Sequence, residues 1–402
     1  MTASITSNEI SATQAAASVR DTVVQWRRHL HRNPELSFHE HETARFVRET
    51  LESFGALELS RPTETSVVAR LRGAAPGPVL AIRADMDALP IDEKNEAEYR
   101  SRNPGVMHAC GHDGHTSMLL GAAKALVGMR DRLHGEVRFI FQHAEEVSPG
   151  GAQAMVDAGV MDGVDAVIGA HLWSPMPVGK VGVLAGALMA APDNFRLIVQ
   201  GAGGHAAAPH QTVDSIAVAA QIVTNLQHIV SRNIDPIDSA VVSVTRFIAG
   251  TADNVIPGTA ELSGTFRTFD PALRREVPRL MERIIRGVTA AHGAAYELTF
   301  FEGYRPVIND ARVTERLRRV VERTLGADAL TDPRATMGGE DFSAFQQRAP
   351  GSFFFIGARN EERGIVQPHH HERFDIDESA LERGVAIFVG AALEFLGGAR
   401  AA

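Results

Sequence analysis

Cysteine is nearly absent: Cys110 is the only one in 402 residues. A disulfide within the chain is therefore excluded, which leaves reactivity or metal binding as the uses of that thiol beyond packing. Long apolar runs are missing too, so no segment is expected to span a bilayer. No lysine or arginine precedes Arg20, and the first residues carry no apolar core of signal-peptide type. Together these absences point to the reducing cytoplasm. Basic excess is lacking: 40 Lys and Arg stand against 49 Asp and Glu, a formal charge of −9. Without a basic footprint, nucleic acid is not an expected partner, although a small anionic substrate is still allowed. The chain shows no internal repeat and no low-complexity segment beyond a mildly alanine-rich start.

What is present is ordinary globular material, 44% apolar and 22% charged. Its length implies more than one domain, or one large domain carrying an insertion. Helical patterns occupy residues 12–30 and 40–54. Short apolar runs at 79–82, 137–141 and 166–170 read as buried strands, and 116–127 as a packed helix. Strands alternating with helices predict an α/β fold with a mostly parallel sheet flanked by helices. In such sheets, sites lie beyond the carboxyl ends of strands, where Asp85, Asp87, Glu145, Glu146 and His171 fall. From about residue 187 the order becomes β-α-β-β-α-β, the split βαβ unit of ferredoxin-like α+β folds. Residues 187–300 are therefore expected to form a second domain inserted into a first one built from 1–186 and 301–402. Within the latter, a helix near 310–325, a strand at 353–356 and a closing helix from Glu378 to about Leu396 follow the insert.

The chemically richest segment is Met107-His-Ala-Cys-Gly-His-Asp-Gly-His115. Thiolate and imidazole are ligands of borderline-soft divalent cations. A buried structural cysteine is the plainer reading, but it leaves His108, His112 and Asp113 around Cys110 unexplained. Glu145 and Glu146 follow an apolar strand. On an ideal strand, neighbours face opposite ways, so one could bind metal while the other acts as base; a solvated pair is the plainer alternative. His171 and the run His369-His-His371 have equally plain readings, as a hydrogen-bonded histidine and a solvated loop. The glycines of Gly203-Gly-His205 could let backbone approach a ligand or simply make a turn. No one of these features decides alone. Jointly they supply enough donors for two metals if a ligand or water bridges.

These segments occur in order with Asp85-Met-Asp-Ala-Leu-Pro90, Gln142-His-Ala-Glu-Glu146, Gly201-Ala-Gly-Gly-His-Ala-Ala-Ala-Pro-His210 and Met337-Gly-Gly-Glu-Asp-Phe342. The set resembles the aminoacylase/carboxypeptidase-type dinuclear metallohydrolases, nearest the branch of hippurate hydrolases, N-acyl-amino-acid amidohydrolases and plant auxin-conjugate hydrolases. The resemblance covers nearly the whole chain. It implies two divalent ions (Zn, Mn, Co or Ni) held by Cys110, His112, Glu146, His171 and one late histidine. That histidine stands four residues before an aromatic in the family, which gives His370 counted from Phe374; Glu372 replaces the usual proline, and His369 and His371 keep the position open within the run. Glu145 is implied as general base and Asp87 as the group orienting a ligand histidine. His205 would polarise the scissile carbonyl, in the same or the partner subunit. Asn254 and Arg267 would hold the substrate carboxylate. The usual lysine after Gly201 is Ala202 here.

The activity implied is hydrolysis of N-acyl-L-amino acids, with the inserted domain acting as a lid and forming a homodimer or higher homo-oligomer. A dipeptidase or carboxypeptidase using the same metals is the nearest alternative. A silent metal- or amino-acid-binding homologue should lack the base, yet Glu145 is present. A metal-independent cysteine hydrolase built on Cys110 would survive chelation.

Overall fold

The computed structural model describes residues 10–397. Two compact units divide them: one runs up to Leu188 and takes in Ile308–Arg334 and the residues from Asp341 onward; the other comprises Met189–Val307 and Ala335–Glu340.

In the first unit the apolar runs pair into an eight-stranded sheet. Its centre is four mutually parallel strands in the spatial order His134–Gln142, Ala75–Asp85, Ala166–Pro177, Gly351–Arg359. Register places Ile82 between Phe139 and Ile168. Near-continuous apolar sequence in these strands is what burial on both faces demands, and Ile82, Phe139, Ile168 and Phe354 are fully buried. Val67–Arg72 and Glu58–Ser60 extend one side antiparallel; Val181–Gly182 and Leu330–Thr331 complete the other.

The strand carrying His171 is longer than its sequence suggests. It continues to Pro177 because Gly351–Arg359 pairs alongside it past Trp173. His171 is thus held within a paired strand rather than in the loop after one.

The helix His112–Val127 is buried along nearly its whole length. Two glycines allow this. Gly111, at its start, has φ 92°, a conformation that suits glycine. A Cβ on Gly114 would lie 2.4 Å from Leu172 Cδ1, so only glycine lets this turn approach the His171 strand.

The second unit is a four-stranded antiparallel sheet ordered Ala240–Ala249, Thr259–Thr268, Ala191–Gln200, Ala295–Phe301. With helices Ser215–His228 and Pro271–His292 it follows the β-α-β-β-α-β order. Alternation in Ala191–Gln200 buries Phe195, Leu197 and Val199 against Val218, Ile222, Leu226 and Met281. Asp214 and Asp270 cap the two helices, and Pro271 occupies the first helical position of the second. The segment Ala335–Glu340 joins this unit through the carbonyls of Thr336 and Gly338, which accept the Ala190 N–H at 3.2 and 2.9 Å. Among the described residues, no helix is long and apolar enough to cross a membrane.

Candidate metal centre

Three parallel strands, the start of one helix and one loop deliver the donors. Asp85 ends Ala75–Asp85, with Asp87 two residues on; Glu145 and Glu146 follow His134–Gln142; His171 projects from Ala166–Pro177. Cys110 and His112 stand at the start of the buried helix, and His370 lies on the loop before Phe374.

Two groups of three donors share the one sulfur: Cys110, His112 and His171, and Cys110, Glu146 and His370. Within each, the donor atoms lie within 4.8 Å of one another. Cys110 Sγ is 3.4 Å from His171 Nε2. Glu146 Oε1 is 3.8 Å from His112 Nε2 and 3.3 Å from His370 Nε2. A further group joins His112, Glu145 and Glu146. The opposite-face expectation for the adjacent glutamates gives way here. The strand stops at Gln142, and Ala144 turns left-handed with φ 50°, so both carboxylates gather at His112.

Partners outside the donor groups fix their orientation. Asp87 Oδ1 meets His112 Nδ1 at 3.2 Å, while its Oδ2 accepts the Glu146 N–H at 3.0 Å and the Ser37 hydroxyl at 2.7 Å. A carboxylate behind a ligating imidazole fixes its tautomer and raises its basicity. The Leu172 peptide organises three more imidazoles. Its N–H donates to His115 Nε2 at 2.8 Å, and its carbonyl accepts from His171 Nδ1 at 2.8 Å and His369 Nε2 at 2.9 Å. His115 Nδ1 then donates to Asp85 Oδ1 at 2.6 Å. His171 is left with its Nε2 lone pair towards Cys110.

In the histidine run, His369 has both nitrogens engaged, with Leu172 O and with Ser174 Oγ at 3.1 Å. His371 Nδ1 accepts the Arg373 N–H. His370, at φ 64°, is the member that reaches Glu146 and Cys110. His108 is buried, and neither of its ring nitrogens is hydrogen-bonded among the described residues; burial lowers its pKa to about 4.

Two observations bear on whether cations fit. First, His112 Nε2 and Glu146 Oε1 are buried atoms that make no well-formed hydrogen bond among the described residues; their contacts are looser ion pairs, 3.8 Å to each other and 3.3 Å from Glu146 to His370. Buried polar atoms so loosely paired are stabilised by a ligand that satisfies them. Second, the charges are arranged for cations. Burial pushes the Cys110 thiol well up, and Glu146 and Glu145 push it further. Burial opposes protonation of His112, but Asp85, Asp87 and Glu146 outweigh it and raise its pKa to about 10. Burial, with His115 and His369, drives His171 well down and keeps it neutral. Burial would raise Asp87, yet the bonds from His112, Glu146 N–H and Ser37 hold it below its ordinary range. One sulfur, three imidazoles and a carboxylate suit zinc, manganese, cobalt or nickel.

The other residues anticipated from sequence lie in the second unit. His205 is exposed on Gly204–His205, which pairs with Val255–Ile256; its neighbour Ala206 donates to the Asn254 carbonyl at 3.1 Å. Asn254 is exposed. Arg267, half-buried on Thr259–Thr268, donates to the Met337 carbonyl at 3.0 Å and has no carboxylate partner among the described residues. Burial lowers its pKa. Sequence reasoning passed over Ser37, Glu40 and the roles of His115 and Leu172. Nothing in their spacing marks them, because their partners come from distant segments.

A parallel-centred α/β sheet with sulfur, imidazole and carboxylate donors gathered around its strand ends defines a hydrolase of the metallopeptidase class. The chain belongs, more particularly, to Peptidase family M20/M25/M40, which it matches over residues 81–394. It is 66% identical over 291 residues to an N-acyl-L-amino acid amidohydrolase of Geobacillus stearothermophilus, covering 72% of this chain and 79% of that one. It is 42% identical over 380 residues to thermostable carboxypeptidase 2 of Saccharolobus solfataricus, covering 94% and 96%. Among solved structures it resembles the Bacillus subtilis YXEP protein, described as a dinuclear metal binding peptidase from the M20 family. The TM-score is 0.83 at 38% identity, covering 94% of this chain and 99% of the other.

Proposed function

We propose that this chain hydrolyses the amide bond of N-acyl-L-amino acids, releasing a carboxylic acid and a free amino acid. The observation that carries this reading is the pair of donor groups sharing Cys110, with Glu145 gathered beside them. Cys110, His112 and His171 would hold one cation and Cys110, Glu146 and His370 the other. When bound, the cations supply Lewis acidity to the amide carbonyl and acidify an attacking water. Glu145 takes the proton of that water and returns it to the leaving nitrogen. Asp87 keeps His112 in one tautomer. His205 donates to the developing oxyanion, and Asn254 with Arg267 binds the free carboxylate. An arginine without a carboxylate of its own is suited to that task.

The second unit is assigned to substrate closure and to pairing of subunits in a homodimer. The reducing cytoplasm suits a ligand set that depends on a free thiol. The identity to an N-acyl-L-amino acid amidohydrolase favours acylated substrates. Similarity to a carboxypeptidase makes unblocked peptides the competing class. Assay of the metal-loaded protein on hippurate and N-acetyl amino acids against matching unblocked dipeptides decides between them. Faster turnover of the dipeptides would overturn the first reading.

A further inference from the structure

Glu40 lies outside every motif that drew attention to the site, and it is fully buried. It precedes the helix His41–Phe54, yet its side chain does not cap that helix. The carboxylate turns the other way. Oε1 accepts two backbone N–H groups, Phe38 at 3.0 Å and Ala144 at 2.7 Å, and Oε2 accepts the Thr65 hydroxyl at 2.9 Å. Both amides belong to left-handed residues, with φ 66° at Phe38 and 50° at Ala144. Residues with a Cβ disfavour that conformation and keep it where surrounding bonds over-determine it.

Ala144 is the turn that sends Glu145 and Glu146 to the same side. Its carbonyl is held by the Gly151 N–H at 2.9 Å, and the following Glu146 N–H by Asp87. Its own N–H is held by Glu40. We propose that Glu40 is a positioning residue for the proton-transfer base: it locks Ala144 left-handed so that the Glu145 carboxylate stands beside His112 and Glu146. This rests on the reading of Glu145 as base. Burial, with a contribution from Asp87, raises the Glu40 pKa to about 7. Oε1 can accept both amides in either protonation state, so the acceptor oxygen matters and the charge does not. Glutamine offers the same oxygen, and its amide group can donate to Thr65.

The test compares wild type, Glu40→Ala and Glu40→Gln in three measurements: metal per chain, kinetics, and hydrogen exchange of the peptide spanning residues 141–148. Glu40→Ala should exchange that peptide at least about tenfold faster. It should also lower kcat by about tenfold or more when compared at equal metal loading, with KM near wild type. Glu40→Gln should restore the protection and keep kcat within about threefold of wild type. Wild-type exchange in Glu40→Ala, or a Glu40→Gln as impaired as Glu40→Ala, would overturn the proposal. If Glu40→Ala does not fold, the Gln variant still decides: a loss of kcat beyond about tenfold contradicts the acceptor role. If the wild type cleaves no N-acyl amino acid, the functional reading falls, while the exchange comparison still tests the clamp.

Discussion

Cys110 enters both donor groups, so a single substitution there addresses both cations. Cys110→Ser should lower the metal bound per chain below that of wild type, read by elemental analysis after dialysis; full retention would reject the sulfur as a ligand. Glu145→Gln should keep its metal and lose about 10²–10⁴ in kcat, the range for a general base. The elevated pKa values of Cys110 and His112 mean that the metal-free site holds protons near neutrality. Cation uptake must release them, so affinity should fall as pH falls. Calorimetric titrations in buffers of different ionisation enthalpy would count those protons. At this scale the sequence was informative where residue type is itself unusual. A lone cysteine among histidines and a glutamate pair after an apolar run stand out in one dimension. Glu40 does not, since two of the three groups that hold it, Thr65 and Ala144, are 25 and 104 residues away.

The helix Ala12–Arg32 shows how an element far from the donors supports them. Arg27, wholly buried, reaches Asp113 at 2.8 Å, Asp375 at 2.8 Å and Glu378 at 3.4 Å. His31 lies 2.8 Å from Asp113 and 3.2 Å from Glu93. These contacts fasten the first helix to the turn that carries His112. Removing one partner of a buried ion pair strands the others, so Arg27→Ala should cost about 3–5 kcal/mol in denaturant unfolding. Burial and Arg27 pull the His31 pKa down, but Asp113 and Glu93 outweigh them and raise it. Its contribution is therefore complete below the unfolded histidine pKa and is lost as pH rises through the raised value. The stability gap between wild type and His31→Gln should be wider at about pH 6 than at about pH 9, and a gap that does not narrow would contradict the imidazolium. Helices and core strands were legible here because apolar period and length are local properties. The edge strand Glu58–Ser60 and its neighbour Val67–Arg72 were not, since pairing with adjacent strands defines them. For the same reason the His171 strand ran past its predicted end.

Across the whole molecule, the donors come from residues 110–112, 146, 171 and 370. Cations bound there would tie the two sequence-distant portions of the first unit together. Ligand linkage predicts a gain of about 2.7 kcal/mol at a hundredfold excess over Kd. Thermal unfolding with and without added zinc or manganese should show a rise in Tm that Cys110→Ala abolishes. In the second unit, Arg267→Ala should raise KM for N-acyl amino acids far more than for the matching amides, which lack the carboxylate; equal effects would refute carboxylate binding. The change from alternating strands and helices to a β-α-β-β-α-β order is visible in the sequence, and the described residues divide into two compact units. The return of Ala335–Glu340 to the second unit was hidden, because it depends on carbonyls meeting Ala190, which lies more than a hundred positions earlier.

One consequence follows for anyone who would map this centre by mutagenesis. The groups of Leu172 that gather three histidine rings belong to its main chain. An alanine scan trims the isobutyl group at 172 and leaves those bonds in place, so it would score the position as mere packing. A change to the peptide link itself, such as an ester in place of the amide, would expose what that residue contributes.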